Sequence, residues 1–287
     1  VELVLTQLVG AVARALIAIV VIATPSLLIP GTTPEGSQVV TLVALALGVF
    51  VGMEYAATYP GLIEFRDAPP FNRVRILTLF VTLFLLSLVV SATPGEGSSL
   101  ALIVNAFGLL VATALDFPFS PVQMIETHLP PGLEQFQINQ IKGMTGIATL
   151  VMLFSIFCFA LLIRLNQWPN RGSSFNVWIN LPTFDPTTGG DVVKRLRRDS
   201  LVNVILGVFA PFVLPVVAVV AANHIKIDVL SSPHALVWGI TLWMFIPLSM
   251  LMRGLAMSRV ADMIGQRRAR LTASVGSDGP SSPALSR

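Results

Sequence analysis

The sequence predicts an all-α polytopic membrane protein with six transmembrane helices plus one re-entrant or interfacial helix; seven transmembrane helices is the alternative. Three observations lead there. Hydrophobic residues fill 54% of the 287 positions and charged residues 11%, against about 25% charged in an ordinary soluble domain. The apolar residues fall in runs close to the roughly 20 residues that span a hydrocarbon core. Lys and Arg gather in a few connections and avoid the others. Backbone in lipid must satisfy its own hydrogen bonds, which leaves helices or a closed barrel. A barrel would alternate polar and apolar positions, and runs such as 201–222 do not.

The candidate runs are 15–29, 39–58, 74–92, 100–115, 141–163, 201–222 and 235–251. The first is read as a span and not a signal peptide, because further membrane segments follow it. Three regions are basic: 60–75 with Arg66, Arg73 and Arg75; 164–198 with Arg164, Arg171, Lys194, Arg195, Arg197 and Arg198; and the C-terminal part from Arg253 onward. Basic residues concentrate on the cytoplasmic side, so all three should share it. An even number of crossings must then separate the first basic region from the second, yet three runs lie between them. The run 100–115 is the shortest of those three. It contains Asn105 and Gly108 and leads directly into Asp116, Pro118 and Pro121. It is expected not to cross fully, which places both ends of the chain in the cytoplasm.

The organisation expected is one transmembrane domain over 1–271, with a cytoplasmic connection at 164–200, a helical extension at 253–266 and a flexible tail at 272–287. Leu133, Phe136 and Ile141 have helical spacing after Pro130 and Pro131, which suggests a short surface helix. Around Trp178, residues 175–181 alternate apolar and polar as an extended piece would. Asp191, following two glycines, can cap a helix that carries Lys194, Arg195, Arg197 and Arg198 into the sixth run. Pro211 and Pro215 should interrupt that run and Pro247 the last, because proline lacks the amide a helix needs.

Polar groups at membrane depth mark the candidate chemistry. Glu54 stands near the end of the second run beside Tyr55, Asn105 lies in the fourth, and Asp116 follows directly at its end. These four form the possible transport or buried polar site, with pairing to Arg66, Arg73 or a tyrosine as the structural reading of Glu54. Ala44, Gly48 and Gly52 recur every four residues, a small-residue face that lets another helix approach. Together with Phe175, Trp178, Arg195, Arg197 and Arg198 it forms the expected partner-binding set.

No metal site is assigned. His128, His224 and His234 lie in separate connections, and the single Cys158 excludes an intrachain disulfide. The phosphate-binding glycine loop, the zinc pair HExxH and the nucleophile elbow are missing. No cofactor motif is evident, although bound phospholipids are expected. The expected partners are membrane proteins and anionic phospholipids, not nucleic acid. The expected setting is a bacterial inner membrane, with the C-terminus cytoplasmic. The function expected is that of a non-enzymatic accessory or assembly subunit of a larger membrane complex. The alternative is a small-molecule, lipid or ion transporter using the intramembrane acid.

Overall fold

The computed structural model describes residues 2–31, 33–92, 98–130, 132–165, 168–169, 175–185, 187, 189–225 and 232–277. It is all-α among these residues. In chain order the helices are α1 (Glu2–Leu28), α2 (Pro34–Ala56), α3 (Phe71–Val90), α4 (Ser99–Ala114), α5 (Pro121–His128), α6 (Gln135–Leu165), α7 (Val177–Asn180), α8 (Val192–Ile225) and α9 (Pro233–Ser277). Six of them, α1, α2, α3, α6, α8 and α9, contain segments long and apolar enough to cross a bilayer, whereas α4 has 16 residues. The polytopic membrane fold read from composition is the fold observed.

α3, α6 and α9 form the centre, and α1–α2 and α8–α9 are close helix pairs. α3 and α6 run in opposite directions. Thr78 bonds Ser155 at one level, and the side-chain amide of Gln140 donates to Val89 and Val90 carbonyls at another. Lipid tails give helices no hydrophobic reason to associate, so close approach depends on small residues and hydrogen bonds. The α4–α6 seam shows why. A Cβ on Gly146 would lie 2.7 Å from the Ala112 nitrogen, and one on Gly108 would lie 2.7 Å from the Gly143 oxygen. Backbone touches backbone there, so neither position admits a side chain. In α8–α9, Gly254 leaves room for Val204, and the Ser200 hydroxyl donates to the Gly254 carbonyl at 2.7 Å.

Several expectations need correction. α8 runs unbroken through Pro211 and Pro215, and α9 through Pro247. Pro215 cannot donate to the carbonyl four residues earlier. That carbonyl, on Pro211, accepts instead from the indole Nε1 of Trp243 at 2.8 Å. The short surface helix lies earlier than expected. It is α5, begun by Pro121 and capped by Ser120, whose hydroxyl accepts from the Gln123 amide, while Phe136 and Ile141 belong to α6. The stretch around Trp178 is not extended but makes one helical turn, because Asn176 caps it through the Trp178 amide. α9 continues past Gln266 to Ser277, since residues 266–273 contain no helix breaker. The rest of the expected tail, 278–287, lies outside the described residues, as do 226–231.

Candidate functional site

The connection from 57 to 70 carries Arg66 and meets residues 168–169 and 175–185 and the late part of α9 at one end of the bundle. This basic end is knitted by polar contacts. The Glu54 carboxylate, at the last turn of α2, accepts from the backbone amides of Gly61, Leu62 and Ile63 at 2.9–3.1 Å. Arg66 does not pair with it. Its guanidinium donates to the Glu54 and Ala57 carbonyls at 3.0 and 2.6 Å, where a helix C-terminus leaves acceptors unmatched. Tyr55 offers its ring to Arg14, 4.6 Å from the centroid. Glu54 therefore shapes a loop, and Tyr55 anchors a cation of α1.

Glu64 is the residue that sequence reasoning missed. Its carboxylate takes a two-pronged bond from Arg253 of α9, at 2.6 and 2.9 Å, and a further one from the Thr183 hydroxyl. The two side chains are 11% and 30% exposed, so the pair is mostly withdrawn from solvent and its geometry counts. Four more bonds join the same elements. Asn180 binds the Phe65 amide through its carbonyl and the Asp67 amide through its side chain. Trp168 donates to Ala68, and Arg259 of α9 donates to the Trp168 carbonyl.

Under this net lies an aromatic cluster. Phe65 and Phe71 rings are 4.6 Å apart, and Trp168 stands 5.5 Å from Phe65 and 6.2 Å from Phe159. Phe65 is fully buried and has φ of 52°, a left-handed backbone that costs a bulky residue about 1–3 kcal/mol. The amide bond to Asn180 and the surrounding rings hold it there.

The expected partner-binding residues are only partly available. Ala44 is buried, and Gly48 sits so close to α1 that a Cβ would fall 2.5 Å from Ile19. The helix that approaches this small-residue face is thus α1 of the same chain. Gly48 and Gly52 nevertheless contribute to the floor of an apolar groove of about 370 Å³ between α1 and α2, together with Ala11 and Ala15, with Val12 and Val49 also lining it. Trp178 is exposed and Phe175 half-buried. Arg195 stacks on Phe184, Arg197 pairs with Asp262 at 2.9 Å, and Arg198 pairs with Asp199 at 3.3 Å.

At the opposite end, Asn105 lies in the α4–α6 seam with its side-chain oxygen buried and unpartnered. Asp116 faces Lys142 at 3.6 Å, and that lysine binds Glu126 at 2.7 Å. The structure therefore does not bring Glu54, Tyr55, Asn105 and Asp116 together. No group of three potential metal ligands assembles among the described residues.

No family model, curated protein or solved structure matches this chain.

Asp191 supplies a test of how the late part of α9 is held. It caps α8 through the Val193 amide and accepts from Arg268 at 2.6 Å. The Arg268 bond, helped by the amide, holds its carboxyl below the ordinary 3.8. A lowered carboxyl stabilises the docked state above the ordinary value and loses that effect as pH falls through the lowered one. Spin labels at positions 189 and 272 should give one narrow distance at neutral pH that broadens only under acid. In Asp191→Asn the distance should be broad throughout. An acid-insensitive distance in the parent protein would show that this contact does not hold the helix.

Proposed function

We propose that this chain is an accessory or assembly subunit that binds and organises a larger membrane-protein complex through its α1–α2 hairpin. The groove between those helices is the observation that carries the reading. Only 11% of the α2 span is buried, against 44% for the α6 span, so α2 stands at the rim of the bundle. Its outward face presents Val39, Leu42, Val49 and Met53, all more than 60% exposed. A floor of Ala and Gly lets a foreign helix come close, and larger side chains beside it can interdigitate. That is how helices associate where lipid gives no hydrophobic gain. The exposed Trp178 and the arginines of early α8 offer a second, polar contact, to a partner or to anionic phospholipid.

The rival, a transporter built on Glu54, loses support because that carboxylate already accepts from three loop amides. We assign the chain no catalysis.

The same reading takes six crossings, with α4 re-entrant. Gln140 joins the start of α6 to the end of α3. Lys142, two residues on, pairs with Asp116 just beyond α4 and with Glu126 on α5. Both supports favour a stretch between α3 and α6 that leaves and returns on one side, as the charge pattern requires. We place the chain in a bacterial inner membrane with the basic end and C-terminus cytoplasmic, following the positive-inside bias.

Accessibility tags at positions 98 and 118 test the crossing count: six crossings put both on the same side, seven on opposite sides. Docking is tested by Gly52→Leu. A Cβ at Gly52 meets only Ala15, at an ordinary 3.5 Å. The variant should fold normally, fill the groove and lose about tenfold or more of the partner that copurifies in mild detergent. Unchanged copurification, or an isolated monomer from the parent protein, contradicts the proposal.

A further inference from the structure

Arg75 stands one turn into α3, within a membrane-spanning helix. Its guanidinium carbon lies 5.4 Å from the Phe71 ring centroid and 5.8 Å from that of Phe245 on α9. Its Nε is buried and has no hydrogen-bond partner. Among the described residues Arg75 makes no hydrogen bond and no ion pair. The carboxylate that acts on it through space is Glu64, and both Glu64 oxygens are taken by Arg253, with Thr183 sharing one.

An arginine cannot escape by losing its proton, because the guanidinium stays charged under all ordinary conditions. The two rings attract the cation through their faces but accept none of its hydrogen bonds in the way an oxygen would. Buried charges persist when paired. The buried or half-buried charges around it do find partners within the chain: Glu54 in amides, Glu64 in Arg253, Arg66 in carbonyls.

A second observation points to the same place. Thr24, Thr78, Thr82, Thr145 and Thr149 each return their hydroxyl proton to the carbonyl four residues back. Thr241 and Ser249 of α9 do not, and their hydroxyl oxygens are buried without partners. They stand four residues before and four after Phe245, on the helix face that Phe245 turns to Arg75. A fork of unused N–H donors thus faces a helix stripe with two unused hydroxyls. The Arg75 side chain remains partly exposed, so the place is not sealed.

We infer that Arg75, flanked by Phe71 and Phe245, is a binding site for a phosphate oxyanion. The planar guanidinium matches two phosphate oxygens at once, and the Ser249 hydroxyl, one turn along α9 from Phe245, is a free donor on the same face. The phosphate is carried either by a phospholipid headgroup drawn in beside α3 and α9 or by a small soluble ion. The site is independent of the α1–α2 groove and of whatever binds there.

The full chain in dodecyl maltoside is titrated with phosphatidylglycerol, with diacylglycerol as the phosphate-free control, and separately with sodium phosphate. Binding is read by native mass spectrometry and by the melting temperature. Saturable binding of phosphatidylglycerol but not diacylglycerol identifies a lipid-borne ligand; a saturable rise in melting temperature with sodium phosphate alone identifies a free one. In either case Arg75→Gln should weaken binding about tenfold, the loss of a charge-assisted fork. The double variant Arg267→Gln, Arg270→Gln, which removes two exposed charges of the same end, should bind as the parent does. If Arg75→Gln does not fold, Arg75→Lys keeps the charge without the fork and should still bind several-fold more weakly. No saturable binding by either probe overturns the inference. So does parent-like binding by Arg75→Gln or, where that variant does not fold, by Arg75→Lys. A loss confined to the Arg267, Arg270 variant overturns it as well.

Discussion

The two-pronged bond between Glu64 and Arg253 ties the α2–α3 connection to α9, and most of the basic end is arranged around that tie. Glu64 lies in the middle of a connection that has no secondary structure of its own and would otherwise need only to bridge two helices. Arg253 extends from a helix and stands 189 residues further along the chain. Linking them fixes the depth at which α9 passes the connection. Arg259, one and a half turns further along α9, then falls opposite the Trp168 carbonyl, and the Phe65–Trp168 cluster closes beneath. Withdrawn ion pairs often add little net stability compared with apolar replacements, but removing one partner is costly because the other is left charged. Their better-attested service is to fix register, which is what a helix bundle in lipid lacks when its exposed surfaces are all equally apolar.

Elsewhere register comes from contacts of other kinds. The α4–α6 seam is fixed by glycines so close that backbone meets backbone. The α3–α6 pair is fixed by Thr78 with Ser155 and by Gln140 on two carbonyls. α8 and α9 meet through the Trp243 indole on the carbonyl that Pro215 leaves open. Each of these is a polar or steric coincidence at one level of the membrane, and together they leave α2 as the helix with most surface free. The chain thus concentrates its internal constraints in α3, α6 and α9 and leaves the α1–α2 hairpin with little of its surface covered.

Membrane residence, the number of long apolar helices and the basic end were legible because each depends on summed composition or on charge along the chain. The Asp191 cap was legible because capping is local in sequence. Pairings across the bundle were not. Glu64 reads as a minor acid among Arg66, Arg73 and Arg75, and nothing nearby in sequence points to Arg253. An acid embedded in a basic connection was the available signal, and net charge concealed it. Ala44 and Gly48 pack against α1 of the same chain, and periodicity alone cannot say whether an approaching helix belongs to the chain or to a partner. Pro211 and Pro215 read as breaks because the missing amide is local information, whereas the indole that compensates comes from another helix. Arg75 looked like an orientation charge, and its isolation between two rings appears only when α3 and α9 are set together.

The central claim is that one carboxylate holds the α2–α3 connection, the segment 175–185 and α9 as a unit. Hydrogen exchange of Glu64→Gln in detergent tests it most directly. The account predicts a concerted loss of protection in 61–68, 177–184 and 253–260, with the α4–α6 seam unchanged, and a cost of about 2 kcal/mol for a pair between the exposed and fully buried limits. Loss confined to the residues beside position 64, with α9 as protected as before, would contradict it.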